Sequence, residues 1–85
     1  MKMTQISEID TVVSTLNGIQ EDFSVPRNVR TKVGNIINTL KEDTKELSIK
    51  INKALNDLDE IANDVNLQPY TRTEIWNVVS LLEKV

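Results

Sequence analysis

Residues 16–31 read LNGIQEDFSVPRNVRT and residues 58–73 read LDEIANDVNLQPYTRT. Set one above the other at a shift of 42, Leu16 meets Leu58, Ile19 meets Ile61, Asp22 meets Asp64, Arg30 meets Arg72 and Thr31 meets Thr73. Working outward, Ile9 meets Ile51, Asn35 meets Asn77 and Leu40 meets Leu82, which makes eight identities in the 33 pairs from Ile9 to Lys41. The remaining apolar positions match in type: Val13 with Leu55, Val33 with Ile75, Ile36 with Val78 and Ile37 with Val79. Any two amphipathic helices agree in their apolar stripe, but not also in Arg, Thr, Asn and Asp. The agreement predicts two related helical hairpins, about residues 4–41 and about residues 43–85, in one domain.

The stripes give the elements. Ile6, Ile9, Val12, Val13, Leu16 and Ile19 recur at helical spacing and predict a helix from about Thr4 to Gln20. Val29, Val33, Ile36, Ile37 and Leu40 predict a second, from about Pro26 to Lys41, with Ser24 as its cap and Pro26 in its first turn. The third stripe runs Leu47, Ile51, Ala54, Leu55, Leu58, Ile61, Ala62 and Val65, capped by Asp43 or Thr44. The fourth starts near Pro69, with Asn66 as its cap, and carries Ile75, Val78, Val79 and Leu82. No stretch alternates as a strand does, so the chain reads as all-α.

An apolar helix, an Asp, a short turn, then Val-Arg and another apolar helix resembles HEAT-type hairpins. Two hairpins are too few for a solenoid. The expected architecture is a compact up-and-down four-helix bundle. Arg30 and Arg72 each follow a turn aspartate by eight residues, so they are expected to form structural turn pairs with Asp22 and Asp64, in the same or the opposite repeat.

The stretches Asp22 to Arg30, with its Val-Pro-Arg-Asn-Val-Arg ending, and Arg72 to Trp76, Arg-Thr-Glu-Ile-Trp, carry a family resemblance over nearly the whole chain. On them the sequence resembles the small archaeal proteins of uncharacterised protein family 0147. The family pattern sets its second Pro at the place of Gln68, whereas this chain has Pro69. The resemblance implies a helical fold and an archaeal cytoplasm. It brings no activity and no functional residue with it.

Composition narrows the function classes. The 85 residues carry 13 acids and 10 bases, a net charge of −3, which disfavours long-range attraction to nucleic acid. With no His and no Cys, the commonest general base, the thiol nucleophile and the zinc-thiolate site are all missing. No phosphate-cradling glycine loop and no cofactor motif is present. Asp57, Glu60 and Asp64 share one helix face, an arrangement read as a solvated surface rather than a metal site. The residues at the start lack a signal-peptide core and no apolar run matches a membrane helix. The chain is therefore expected to be a cytoplasmic, non-enzymatic protein.

Two surfaces remain as candidates. Helix 4 is apolar nearly all round, because Trp76 and Leu81 flank its stripe. Trp76, Tyr70 and Leu81 are thus a candidate interface for another protein or a second copy. Trp76 aligns with Gly34, so its indole is expected to be buried, either against helix 2 near Gly34 or in a homo-oligomer. The less favoured surface is the acid-free edge of helix 2, where Arg27, Arg30 and Lys41 are candidate phosphate contacts for a nucleic acid.

Overall fold

Helix α1 spans Lys2–Gln20, α2 Arg27–Lys41, α3 Leu47–Ala62 and α4 Pro69–Glu83. The computed structural model describes residues 2–42 and 44–85, with side chains from residue 8 onward. The side chain of Ile6 and the proposed cap Asp43 lie outside the described residues. Each helix forms because its apolar residues fall on one face. On α2 the buried set is Val29, Val33, Ile36, Ile37 and Leu40; on α3 it is Ile51, Ala54, Leu58, Ile61 and Ala62.

The helices pack in a ring. Helix α1 meets α2 and α4, and α3 meets α2 and α4. Among the described residues the diagonal pairs, α1 with α3 and α2 with α4, make no close approach. Stacked HEAT hairpins pair their helices the other way, first on first and second on second. The ring wins because four amphipathic helices can bury all four stripes together, whereas a stack of two hairpins leaves apolar faces open at each end. Val12, Leu16, Val33, Ile36, Leu58, Ile75, Val78 and Leu82 are fully buried at its centre.

Among the described residues two buried apolar side chains lie outside the stripes. Val25 and Leu67 sit in the turns, 3% and 4% exposed, and plug the same end of the core. Other sequence expectations need correction. Val65 is 90% exposed, because α3 stops at Ala62 and the chain has already turned. Neither Ser24 nor Asn66 caps a helix. The N-cap positions are Pro26 and Gln68, two residues later, and neither makes a side-chain capping bond. At α3 the cap position is Glu46 rather than Thr44. The displaced second proline, Pro69, opens α4 at its first position without shifting the turn. Leu67 N–H donates to Asp64 O at 3.2 Å, as Val25 N–H donates to Asp22 O at 3.0 Å.

Candidate functional site

Both aspartate turns lie at one end of the bundle and are tied to each other. In the first turn, residues 21–26, the Asp22 carboxylate accepts from the Ser24 amide at 2.9 Å and from the Ser24 hydroxyl at 2.6 Å. In the second, residues 63–68, Asp64 accepts from the Asn66 amide at 2.8 Å. The cross-links are reciprocal. Tyr70, the second residue of α4, donates its hydroxyl to Asp22 at 3.3 Å and lies 2.9 Å from the Ser24 hydroxyl. Asn28, the second residue of α2, donates to Asp64 at 3.2 Å. Asn28 and Tyr70 stand 42 positions apart, and each reaches the other hairpin's turn.

These bonds set the electrostatics. The Asp22 carboxyl is held below its ordinary value, first by the Ser24 hydroxyl, then by the Ser24 amide, with Tyr70 and the Arg30 charge adding to it. Asp64 is lowered first by the Asn66 amide and then by Asn28, with the charges of Lys32 and Arg72 beyond.

The expected Arg–Asp ion pairs do not form among the described residues. Arg30 donates Nε–H to Val25 O at 3.1 Å and sets its guanidinium 5.0 Å from the Phe23 ring centre. Arg72 donates to Ala62 O and Asp64 O, both at 3.0 Å. The carboxylates are already engaged in closing their turns, whereas a carbonyl has two lone pairs, so Asp64 O accepts from Arg72 as well as from Leu67 N–H, Ala62 O at the end of α3 accepts from Arg72, and Val25 O in the first turn accepts from Arg30. A cation near a helix C-terminus also suits the dipole. Lys50 does the same at the opposite end of the bundle, donating to Glu42 O at 2.7 Å.

The turn geometry leaves two large apolar side chains outside. Phe23 is 86% exposed and Val65 90%, each directly following its aspartate. Their backbones are fixed on both sides, by the aspartate before and by the buried Val25 or Leu67 after. Phe23 belongs to no apolar stripe, and Val65 stands at the end of the third. The pattern Asp–apolar–polar–apolar at both turns was the available signal: only one of the two apolar residues can plug the core.

The residues proposed for a helix 4 interface do not come together. Residues six apart on a helix lie about 120° from one another and those eleven apart about 20°. Tyr70 and Leu81 therefore share one flank of α4, the flank that reaches Asp22, while Trp76 lies on the other. Leu81 is partly buried against the core; Tyr70 and Trp76 are about half exposed. Trp76 is not against Gly34, since α2 and α4 do not meet. The place a Gly34 Cβ would take is instead approached by Gln20 Nε2, 2.5 Å away.

On α2, Arg27 and Lys41 are exposed but stand at opposite ends of the helix, about 21 Å apart along its axis. A shallow groove lined by Gln20, Arg27, Arg30 and Thr31 lies at the turn end. The acids of α3 do not converge: Asp57 pairs with Lys53 at 3.6 Å, Glu60 with Lys32 at 3.9 Å, and Asp64 serves the turn. Among the described residues no helix is long and apolar enough to cross a membrane.

A family model described as uncharacterised protein family UPF0147 matches residues 1–85. The chain belongs to this family. A UPF0147 protein of Methanosarcina acetivorans is 36% identical over 90 residues, covering 99% of this chain and 93% of that relative. One from Archaeoglobus fulgidus is 39% identical over 77 residues, covering 91% and 87%. A crystal structure of a UPF0147 protein from Thermoplasma acidophilum superposes with a TM-score of 0.92 at 28% identity, over 96% of each chain. The UPF0147 membership suggested by the Asp22–Arg30 and Arg72–Trp76 stretches is thus established, with archaeal relatives. That membership carries the fold.

Proposed function

We propose that the protein is a small, non-enzymatic cytoplasmic interaction module that binds another protein through its turn end. Phe23 and Val65 are the apolar anchors, with Tyr70 beside them. The observation that carries this reading is the exposure of those two side chains, 86% and 90%, on turns closed by short hydrogen bonds. An apolar side chain held rigidly in water loses little freedom when a partner covers it, so the cost of binding falls. Large exposed anchors of this kind are where binding energy concentrates. Neither turn aspartate is poised as a general acid. A general acid working near neutrality needs a raised carboxyl, whereas Asp22 and Asp64 are both lowered.

Affinity capture from an archaeal lysate, run in parallel with wild type and a Phe23→Ser/Val65→Ser variant, tests the proposal. A partner retained by the wild type and lost by the equally helical variant is the expected result. Equal capture by both would remove the turn end from the argument. Fluorescence anisotropy on RNA and DNA at low and moderate salt tests the other class, since phosphate binding weakens steeply with salt. Salt-sensitive binding lost in an Arg27→Ala/Lys41→Ala variant would replace a protein partner with a nucleic acid.

A further inference from the structure

The flanks of α2 and α4 carry two complementary lines that run from the turn end along the sides of the bundle. Residues seven apart on a helix lie within about 20° of each other and about 10.5 Å apart along the axis. On α2 this places Arg27, Gly34 and Lys41 in one row; on α4 it places Pro69, Trp76 and Glu83 in another. The first row is a base, a missing side chain and a base. The second is a proline, an indole about half exposed, and an acid. Among the described residues Arg27, Lys41 and Glu83 make no ion pair.

The surroundings of the two rows differ in the same sense. The groove formed by Gln20, Arg27, Arg30 and Thr31 lies at the turn end of the first row, and its Gln20 also reaches over Gly34. The atom over Gly34 is the far end of the exposed, flexible Gln20 side chain, which can swing aside. Arg27 offers a guanidinium to an aromatic face entering there. The α2 row faces the α1 side, as Gln20 shows, and the α4 row lies on the flank opposite Tyr70, toward α3. In a ring of four helices these are opposite faces of the bundle.

We infer that a second copy of this chain seats Trp76 over Gly34, in the groove beside Arg27. With Trp76 there, Glu83 falls one row-step away, level with Lys41 when α4 runs parallel to the α2 it meets and with Arg27 when antiparallel. Either orientation pairs the acid with a free base. Because knob and notch are on opposite faces, the contact is head-to-tail, and it extends into an open chain or closes into a ring. The size is adequate. A side of the molecule measuring 36 by 21 Å bounds roughly 750 Å² per partner, near the roughly 800 Å² of a standard interface. The end, 21 by 20 Å, bounds only about half as much.

Sedimentation equilibrium of the full chain, from about 10 µM to about 1 mM, tests this. The wild type should gain mass with concentration, and its Trp76 emission should shift to the blue in step. Trp76→Ser and Gly34→Lys, each checked for unchanged helicity, should weaken association about thirtyfold or more and stay monomeric. Mixed in equal amounts they retain one intact knob and one intact notch, so the mixture should form a heterodimer that grows no further. A wild type that remains monomeric over the range would overturn the inference. So would a Trp76→Ser variant that associates like the wild type, or a mixture that does not pair.

Discussion

The turns at 21–26 and 63–68 begin alike and end differently. In each, the residue after next gives its amide to the aspartate, a buried aliphatic residue follows at the third position, and an arginine arrives at the eighth. The arginines then part. Arg30 makes one bond, to the Val25 carbonyl, and leans on Phe23. Arg72 makes two, to the Ala62 and Asp64 carbonyls. The difference teaches which groups are interchangeable. The aspartates are fixed in their role because a carboxylate must close the turn locally. The arginines need only find a carbonyl in or beside the turn with a lone pair to spare, and two solutions exist.

The comparison breaks first at the plugs. Leu67→Ala should lower the unfolding free energy by about 3 kcal/mol, and Val25→Ala by roughly half that, because less volume is removed. Urea midpoints at constant m-value would show it, and a silent Leu67→Ala would mean that the second turn is not anchored. The arginines come next. Arg72→Ala should cost about 2 kcal/mol for two charge-assisted bonds, and Arg30→Ala about 1 kcal/mol for one bond and an exposed ring contact. A reversed order would show that the Phe23 contact outweighs a carbonyl bond.

Acid sharpens the comparison further. Both aspartates are held below their ordinary value of 3.8, so the unfolded chain takes up protons more readily than the folded one. Their contribution is therefore complete above the unfolded value and is lost as the pH falls through the lower folded values. Urea unfolding followed down from about pH 6 should show stability falling below about pH 4. Asp22→Asn should flatten that fall more than Asp64→Asn, since Asp22 accepts three donors within 3.3 Å and Asp64 two within 3.2 Å. The smallest effect concerns the glycines. Nothing lies near a Cβ added at Gly18, so Gly18→Ala should stabilise by about 0.5–1 kcal/mol. Gly34→Ala should gain less, because Gln20 must move. Thermal melts of the pair decide it.

The fold was legible because its signal is periodic. The stripes of α2 and α4 name their buried faces nearly residue by residue, and the 42-residue spacing finds both turns. The site was less legible because its logic is tertiary. Asn28 and Tyr70 do the same work with unlike side chains, so alignment conceals them. Val25 and Phe23, or Leu67 and Val65, are equally apolar, and only the path of the turn decides which one is buried. Trp76 was misplaced for a related reason. The 42-residue alignment sets it opposite Gly34, but the ring of helices keeps α2 and α4 apart.

The claim at the centre of this account is that the turns hold Phe23 and Val65 out in water as rigid anchors. Backbone ¹⁵N relaxation at those two amides measures this directly. Order parameters of about 0.85, equal to those of the flanking helices, are the predicted result. Values below about 0.6 at Phe23 and Val65, with the helices remaining rigid, would show the tips to be loose chain and would contradict it.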